Sequence, residues 1–183
     1  STVAYNTSAC GSGGGLYVQG NTTAAVNCVF WGNTDRNQSG TTESAQIHVN
    51  AGSPGVTYTC IEGQSDFDDP TNTGLNPEFR DPDGPDNLAG TPDDNLRPSG
   101  SPLSPCIDAG YNNLINQPQD LDGLTRKVDG DENQTVVVDM GAYEYQAAAT
   151  DCNRDKRGDS QDISLGYSAD LVENDVPAEG ELD

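Results

Sequence analysis

Short alternating patterns of apolar and polar residues recur over residues 1–62, separated by glycine and asparagine turns. A period near 30 residues that contains short strands is typical of the coils of a parallel β-helix. A leucine-rich repeat has a similar period, but it needs recurrent leucines, which are nearly absent here. We therefore predict β-helix coils over residues 1–62. The repeated phrases, offset by 27, 31 and 30 residues, are Asn6-Thr7 with Asn33-Thr34, Leu16-Tyr17-Val18 with Ile47-His48-Val49, and Val26-Asn27-Cys28 with Val56-Thr57-Tyr58.

Within each predicted strand, alternation assigns every second side chain to the core. The inward set is Val26, Cys28 and Phe30 in one coil and Val56, Tyr58 and Cys60 in the next. Stacked strands lie about 4.8 Å apart, within the Cα separation that a disulfide requires. Cys28 and Cys60 are thus candidates for a disulfide, and two buried free thiols are an equally good interpretation. We expect Asn33 in an internal turn or asparagine stack rather than in a ligand site.

Strand signals fade between residues 64 and 104, where proline, glycine and aspartate are frequent. A long acidic loop is usually either functional or irregular. Because Ca²⁺ takes oxygen ligands, the loop is a candidate for a second metal site. The alternative is a solvated loop in which aspartates cap turns. The candidate ligands are Asp81, Asp83, Asp86, Asp93 and Asp94.

Three phrases in Ser104–Tyr145, here called the closing segment, each place small residues and a carboxylate around a glycine. The first phrase is Pro105–Gly110 (PCIDAG), the second is Asp120–Gly123 (DLDG) and the third is Asp139–Tyr145 (DMGAYEY). Such phrases turn tightly while the acid accepts hydrogen bonds from backbone N–H groups. Together they resemble the closing segment of bacterial right-handed parallel β-helix surface proteins of the choice-of-anchor Q type. The resemblance implies an all-β solenoid, closed here by an irregular module over residues 63–146, and a place at the cell surface. It implies no chemistry.

After a spacer at residues 147–150, the tail, residues 151–183, carries oxygen-bearing side chains at the spacing of an EF-hand loop. The loop ligands in order are Asp151, Asn153, Asp155, Arg157 (through its carbonyl), Asp159 and Asp162. Lys156 stands where such loops have glycine, which costs on the order of 1 kcal/mol. A weaker second half offers Asp170, Asn174 and Glu181. The tail resembles the dockerin-type calcium repeats of secreted planctomycete proteins, which implies Ca²⁺ as the cofactor, and an acidic disordered tail is the alternative.

Charge and composition limit the classes of function that this chain can have. Asp and Glu number 30 against 8 Lys and Arg, a net charge of −22, which repels nucleic acid and anionic lipid and attracts cations. No apolar run approaches the roughly 18 residues of a membrane span. Five cysteines without a CxxC pair favour disulfides over zinc. Because the chain opens inside the repeat pattern, we expect a mature or trimmed part of an exported bacterial protein, located at the cell surface or outside the cell.

Catalytic patterns are sparse. The sequence shows no Ser-His-Asp set, phosphate-binding loop or zinc spacing. A polysaccharide lyase would need a basic residue beside Ca²⁺, and the candidates are Arg80, Arg97 and Arg126. We expect Arg126 to pair with Asp120 or Asp122 instead. The sequence leaves catalysis undecided and favours a non-enzymatic role.

The function that we expect is that of a calcium-stabilised structural or adhesive protein. Exposed strand edges and an unpaired cysteine favour self-association into filaments, or contact with other cell-surface proteins. The alternative is a fragment of a β-helix protein that degrades or binds polysaccharide.

Overall fold

Short strands carry most of the regular structure in the residues that the computed structural model describes, 1–20, 23–36 and 42–147. A single helical turn, α1 (Glu43–Gln46), leads directly into a strand, and a 3-10 turn covers Asn112–Leu114. All of these elements belong to one of the two units of the chain, Ser1–Tyr145. The strands are β1 (Thr2–Ala4), β2 (Leu16–Gln19), β3 (Ala24–Trp31), β4 (Ile47–Ala51), β5 (Gly55–Ile61), β6 (Phe79–Asp81) and β7 (Asn95–Pro98).

The strands form three small sheets. β1, β3 and β5 pair in parallel in that order, β2 pairs in parallel with β4, and β6 pairs with β7 in the antiparallel sense. Thr2 lies opposite Val29 and Leu16 lies opposite Ile47. These partners are separated along the chain by about the same distance as the repeated phrases, so the repeat corresponds to local strand pairing.

The prediction of a right-handed parallel β-helix is wrong. The described strands lie in separate sheets of three, two and two strands, one of them antiparallel, whereas a solenoid needs coils that stack continuously. After β5, the parallel pairing is reduced to a single bridge between Cys60 and Thr73. The chain then enters the stretch rich in proline and aspartate, which disfavour strands because proline lacks an N–H and aspartate prefers turns. Residues 63–146 therefore do not close a β-helix.

A left-handed residue in the middle of each long strand interrupts the two-residue alternation. Asn27 in β3 and Tyr58 in β5 have φ values of 54° and 49°. They lie at the same level of the sheet, because the pairs Val26–Thr57 and Cys28–Thr59 flank them. This backbone also directs the side chain of Asn27 to Tyr111, whose N–H donates to Oδ1 (2.7 Å) and whose carbonyl accepts from Nδ2 (3.0 Å).

The predicted set of inward side chains is partly wrong as a result. Phe30, Val56 and Cys60 are buried as predicted, whereas Val26, Cys28 and Tyr58 are half-buried. The strand residues that join the buried set instead are Ala25, Asn27, Val29, Thr59 and Ile61. A pattern of strict alternation cannot anticipate this change, because the positive φ lies within the strands rather than in the turns between them.

Two apolar clusters lie on either side of β3 and β5. The first is formed by Val18, Ala25, Phe30, Ile47, Val56 and Ile61. The second is formed by Val29, Cys60, Cys106 and Met140. Cys106 and Met140 come from the first and third phrases of the closing segment, so this segment packs directly on β3 and β5 and is positioned by them.

Asn33 is internal, and it joins the start of the chain to α1. The side chains of Asn33 and Gln46 are both fully buried. Asn33 Nδ2 donates to the Val3 carbonyl (2.8 Å) and to Gln46 Oε1 (2.7 Å), and Asn33 Oδ1 accepts from the Asn6 N–H (3.0 Å). Because the Asn33 and Gln46 side chains are buried, each needs a hydrogen-bond partner inside the fold, and they provide one for each other.

We predict that Asn33→Ala lowers the free energy of unfolding by about 2–4 kcal/mol, because the Val3 carbonyl and the Asn6 N–H lose these partners. Urea unfolding followed by circular dichroism measures the change. Asn50, which is exposed, supplies the matched control, and Asn50→Ala should stay within about 0.5 kcal/mol of the wild type. Equal losses in the two variants would contradict the structural role of Asn33.

Candidate metal centre

The first and third phrases of the closing segment lie side by side, held by a buried carboxylate. Asp139 is 1% exposed, and its Oδ1 accepts from the Asp108 N–H (2.8 Å) while its Oδ2 accepts from the Tyr145 N–H (2.5 Å). The Gly110 N–H donates to the Val138 carbonyl at 2.7 Å, which lines up the ends of the two phrases. A Cβ on Gly110 would lie 2.6 Å from that carbonyl oxygen, so the close approach requires glycine.

The second phrase is attached to the third in the same way. Asp120 Oδ1 accepts from the N–H groups of Asp122 and Leu124, both at 2.9 Å, and Asp120 Oδ2 accepts from the Glu144 N–H at 2.9 Å. A carboxylate that accepts several backbone N–H groups defines a tight turn without apolar residues. The three phrases therefore converge in space, which sequence reasoning did not predict.

Arg97 and Arg126 both lie next to acids of the closing segment. Arg97 forms a two-bond ion pair with Asp122, in which Nε and Oδ2 are 2.6 Å apart. Arg126 is buried, and its Nε lies 3.9 Å from Glu144 Oε2. The expected pairing of Arg126 with Asp120 or Asp122 is therefore wrong, since Glu144 takes that place.

Three carboxylates meet beside the first phrase. Asp108, Asp129 and Asp131 each contribute an oxygen to a group whose members lie within 4.8 Å of one another. Gly130, between the last two, packs against Ile107, and a Cβ added to this glycine would lie only 2.9 Å from Ile107 Cγ2. This contact holds the turn that carries Asp129 and Asp131 against the first phrase. We call Asp108, Asp129 and Asp131 the acidic triad.

Two oxygens of the acidic triad are buried without a partner. Asp108 Oδ2 accepts from the Asp131 N–H at 2.6 Å, and Asp129 Oδ2 accepts from the Gln134 N–H at 2.7 Å. The second oxygen of each carboxylate, Oδ1, is inaccessible to water and has no hydrogen bond. A buried acceptor without a partner costs about 1–3 kcal/mol, and more if it is charged. A cation at this point would satisfy both oxygens.

The electrostatics of the acidic triad also favour a cation. Burial, and then the neighbouring Asp131 carboxyl, raise the pKa of Asp108 to about 6, although hydrogen bonds from backbone N–H groups oppose the shift. The donor set consists of carboxylate oxygens alone, and hard cations such as Ca²⁺ prefer such ligands. Zinc sites use histidine and cysteine, and neither is part of the triad. The residues present therefore fit Ca²⁺.

The acidic loop predicted from the sequence has a different arrangement. Asp86 Oδ1 accepts from the Leu88 N–H at 2.9 Å, and Asp94 Oδ2 accepts from the Gly90 N–H at 2.7 Å. These contacts correspond to the turn-capping interpretation for Asp86 and Asp94. Calcium binding by the predicted set Asp81, Asp83, Asp86, Asp93 and Asp94 stays a prediction. The described residues contain one group of three acids at metal-ligand distance, and it is the acidic triad.

The remaining predicted site residues divide into two sets. The tail ligands Asp151, Asn153, Asp155, Arg157, Asp159, Asp162, Asp170, Asn174 and Glu181 lie outside the described residues, and calcium binding there stays a prediction. Cys28 and Cys60 are both free thiols. Cys28 lies opposite Thr59 and Cys60 lies opposite Val29 in the paired strands, so the two cysteines do not lie directly opposite each other.

Sequence spacing contains no direct signal for the acidic triad. Asp108 lies more than 20 residues before Asp129, so no local loop pattern joins them. The signal that the sequence offers is the pair of acids that flank Gly130, together with Asp108 in the first phrase. Turn chemistry alone accounts for each of these acids, and the convergence of the two turns depends on the packing of the closing segment.

No family model, curated protein or solved structure matches this chain. The resemblances of the closing segment and of the tail therefore rest on the residues quoted for them. Among residues 1–20, 23–36 and 42–147, no helix has the length and apolar character needed to cross a bilayer.

Two further acids, Asp139 and Glu144, are buried close to Arg126. Burial raises the pKa of Asp139 to about 7. Burial, and then the neighbouring Asp139, raise the pKa of Glu144 to about 8, although hydrogen bonds from the N–H groups of Asp139 and Val128 and the charge of Arg126 oppose the shift. The folded chain thus binds protons at Glu144 that the unfolded chain has released.

We predict that the melting temperature falls by on the order of 5 °C between pH 5 and pH 8, because a raised folded-state pKa gives stability that is complete below the unfolded value and lost as the pH rises through the folded value. Glu144→Gln should flatten this profile, since the amide resembles the protonated acid. Differential scanning calorimetry with a chelator present measures both profiles. The exposed Asp68 gives the control variant Asp68→Asn, and a profile as flat in this control as in Glu144→Gln would contradict the assignment.

Proposed function

We propose that this chain is an extracellular structural or adhesive protein whose fold is stabilised by Ca²⁺ bound at Asp108, Asp129 and Asp131. The observation that carries the proposal is the pair of buried, unpaired Oδ1 atoms of Asp108 and Asp129, within reach of a third carboxylate. Such oxygens are costly in an empty site and are satisfied by a cation.

Calcium would act as a cross-link between two parts of the closing segment. Asp108 belongs to the first phrase, while Asp129 and Asp131 belong to the turn that packs on it. Backbone N–H groups already orient Asp108 and Asp129, so little side-chain entropy remains to be lost on binding. The ion would also offset the repulsion among three like charges.

The charge of the whole chain supports a role outside the cell. A net charge of −22 attracts cations and disfavours contact with nucleic acid and anionic lipid. Extracellular calcium modules typically have dissociation constants of about 0.1–1 mM, and a site with three protein carboxylates fits this range. The closing segment resembles that of surface proteins, which supports the same location.

A surface cleft favours polysaccharide binding as a second candidate function. The cleft has a volume of about 780 Å³, and its lining includes Ile47, His48 and Phe67. The Tyr17 ring stacks on the His48 ring, with centroids 5.4 Å apart, and Tyr17 is 47% exposed. An exposed aromatic ring beside a polar cleft presents a flat apolar surface with hydrogen-bonding groups around it, which suits the face of a sugar ring.

We predict that 10 mM Ca²⁺ raises the melting temperature of the full chain by about 4 °C, as expected for a ligand at tens of times its dissociation constant. Asp129→Asn should remove most of this increase, because it takes one charge from the acidic triad and keeps an acceptor for the Gln134 N–H. Differential scanning calorimetry and isothermal titration calorimetry measure stability and binding.

Two controls separate the acidic triad from the other acids. Asp86→Asn removes an exposed acid from the acidic loop and should leave the calcium response unchanged. Asp151→Ala with Asp155→Ala removes two predicted tail ligands, and any response that survives it belongs to residues before the tail. A full calcium response in Asp129→Asn would exclude the acidic triad as the stabilising site.

For the second candidate, we predict that Tyr17→Ala weakens retention on acidic or neutral polysaccharide by about tenfold, since stacking contacts of this kind contribute roughly 1–1.5 kcal/mol. Affinity electrophoresis in gels that contain the polysaccharide measures the retention. Tyr143→Ala, a variant of a half-buried tyrosine in the closing segment, is the control. Migration of the wild-type chain that no polysaccharide slows would count against this function.

A further inference from the structure

Two buried thiols from distant parts of the chain share one apolar cluster. Cys60 lies in β5 and Cys106 lies in the first phrase of the closing segment, and they are 0% and 2% exposed. Val29 and Met140 complete the cluster around them. The Cys106 thiol interacts with the Cys60 thiol, which together with burial raises the pKa of Cys60 far above its usual value.

We propose that Cys60 and Cys106 form a disulfide that ties the closing segment to β5. Its geometric basis is the packing of both side chains in one buried cluster, where the sulfur atoms have to approach to about 2.05 Å to form the bond. Such a cross-link does not depend on calcium binding at the acidic triad.

The other cysteines have different surroundings. Cys28 is half-buried and its sulfur donates to the Val26 carbonyl at 3.2 Å, while Cys10 is exposed. Cys152 lies outside the described residues. The Cys60 sulfur donates to the Leu75 carbonyl at 3.3 Å, a weak bond whose loss is small beside the gain of a covalent cross-link.

The oxidation needs an external disulfide of the glutathione type. A thiolate of one cysteine attacks the small disulfide and releases one small thiol, and the second cysteine then displaces the other small thiol. Two protons and two electrons pass from the protein to the small disulfide, and one S–S bond forms for each one that breaks. Because both thiols are buried in the folded chain, this exchange takes place before the closing segment has packed on β5.

A cross-link between residues 60 and 106 restricts the unfolded chain over a long loop. It therefore stabilises the folded state, and we expect reduction to lower the melting temperature by about 10 °C. The bond would also hold Cys60 and Cys106 together in the second apolar cluster when other contacts of the closing segment are broken.

The test uses the full wild-type chain, refolded from urea in a buffer of reduced and oxidised glutathione with chelator present. Remaining thiols are alkylated with iodoacetamide in denaturant, and the digest is examined by mass spectrometry. We expect a peptide pair that joins Cys60 to Cys106 and lacks two hydrogens, and no alkylation of either residue. Linkage of Cys60 to Cys28, or full alkylation of Cys60 and Cys106, would overturn the proposal.

The triple variant Cys10→Ser, Cys28→Ser, Cys152→Ser keeps only the two proposed partners. It should form the same linked peptide and lose about 10 °C in melting temperature on reduction. Adding Cys106→Ser to this variant should leave Cys60 open to alkylation and make the melting temperature insensitive to reductant. Because calcium is absent throughout, failure of the calcium proposal would leave these outcomes unchanged.

Discussion

Carboxylates that accept hydrogen bonds from backbone N–H groups are the interactions on which the rest of this structure depends. Asp139 joins the first and third phrases, and Asp120 joins the second phrase to the third. With 32% hydrophobic residues, the chain has little apolar surface with which to order a long irregular segment. Acids that bond to the backbone supply that order, and the raised pKa of Asp139 reflects the desolvation that accompanies it.

Which strands pair locally could be predicted from the sequence. Where the parallel stacking of strands ends could not. Short apolar triplets at similar spacing indicate which strands lie together, since each pair needs only matching lengths and turns. A solenoid needs this match to persist from coil to coil. Beyond β5 the chain changes to turn-forming residues, and the pattern of residues 1–62 contains no information on where stacking stops. The left-handed residues Asn27 and Tyr58 likewise follow from tertiary contacts rather than from alternation.

The candidate site was harder to predict than the strands. Sequence reasoning looks for acids that are close along the chain, and in the acidic loop such acids cap turns. The acidic triad unites Asp108 with a turn more than 20 residues later, so it exists only after the closing segment has packed. Conversely, the prediction of a structural turn in the first phrase is accurate for its backbone. The Asp108 carboxylate of that phrase also belongs to the acidic triad, and turn chemistry alone does not indicate this.

Asn27 shows how narrowly one position in this fold is constrained. Its backbone is left-handed, which asparagine, aspartate and glycine tolerate best. Its side chain both accepts from and donates to the backbone of Tyr111. Aspartate has no donor for the carbonyl, and glycine has neither group. Natural selection at this position therefore acts on backbone shape and hydrogen bonding together. Aspartate and glycine suit the left-handed backbone, but each loses at least one of the hydrogen bonds to Tyr111. A single residue thus links the interior of a strand to a distant loop, and few alternative amino acids could preserve that link.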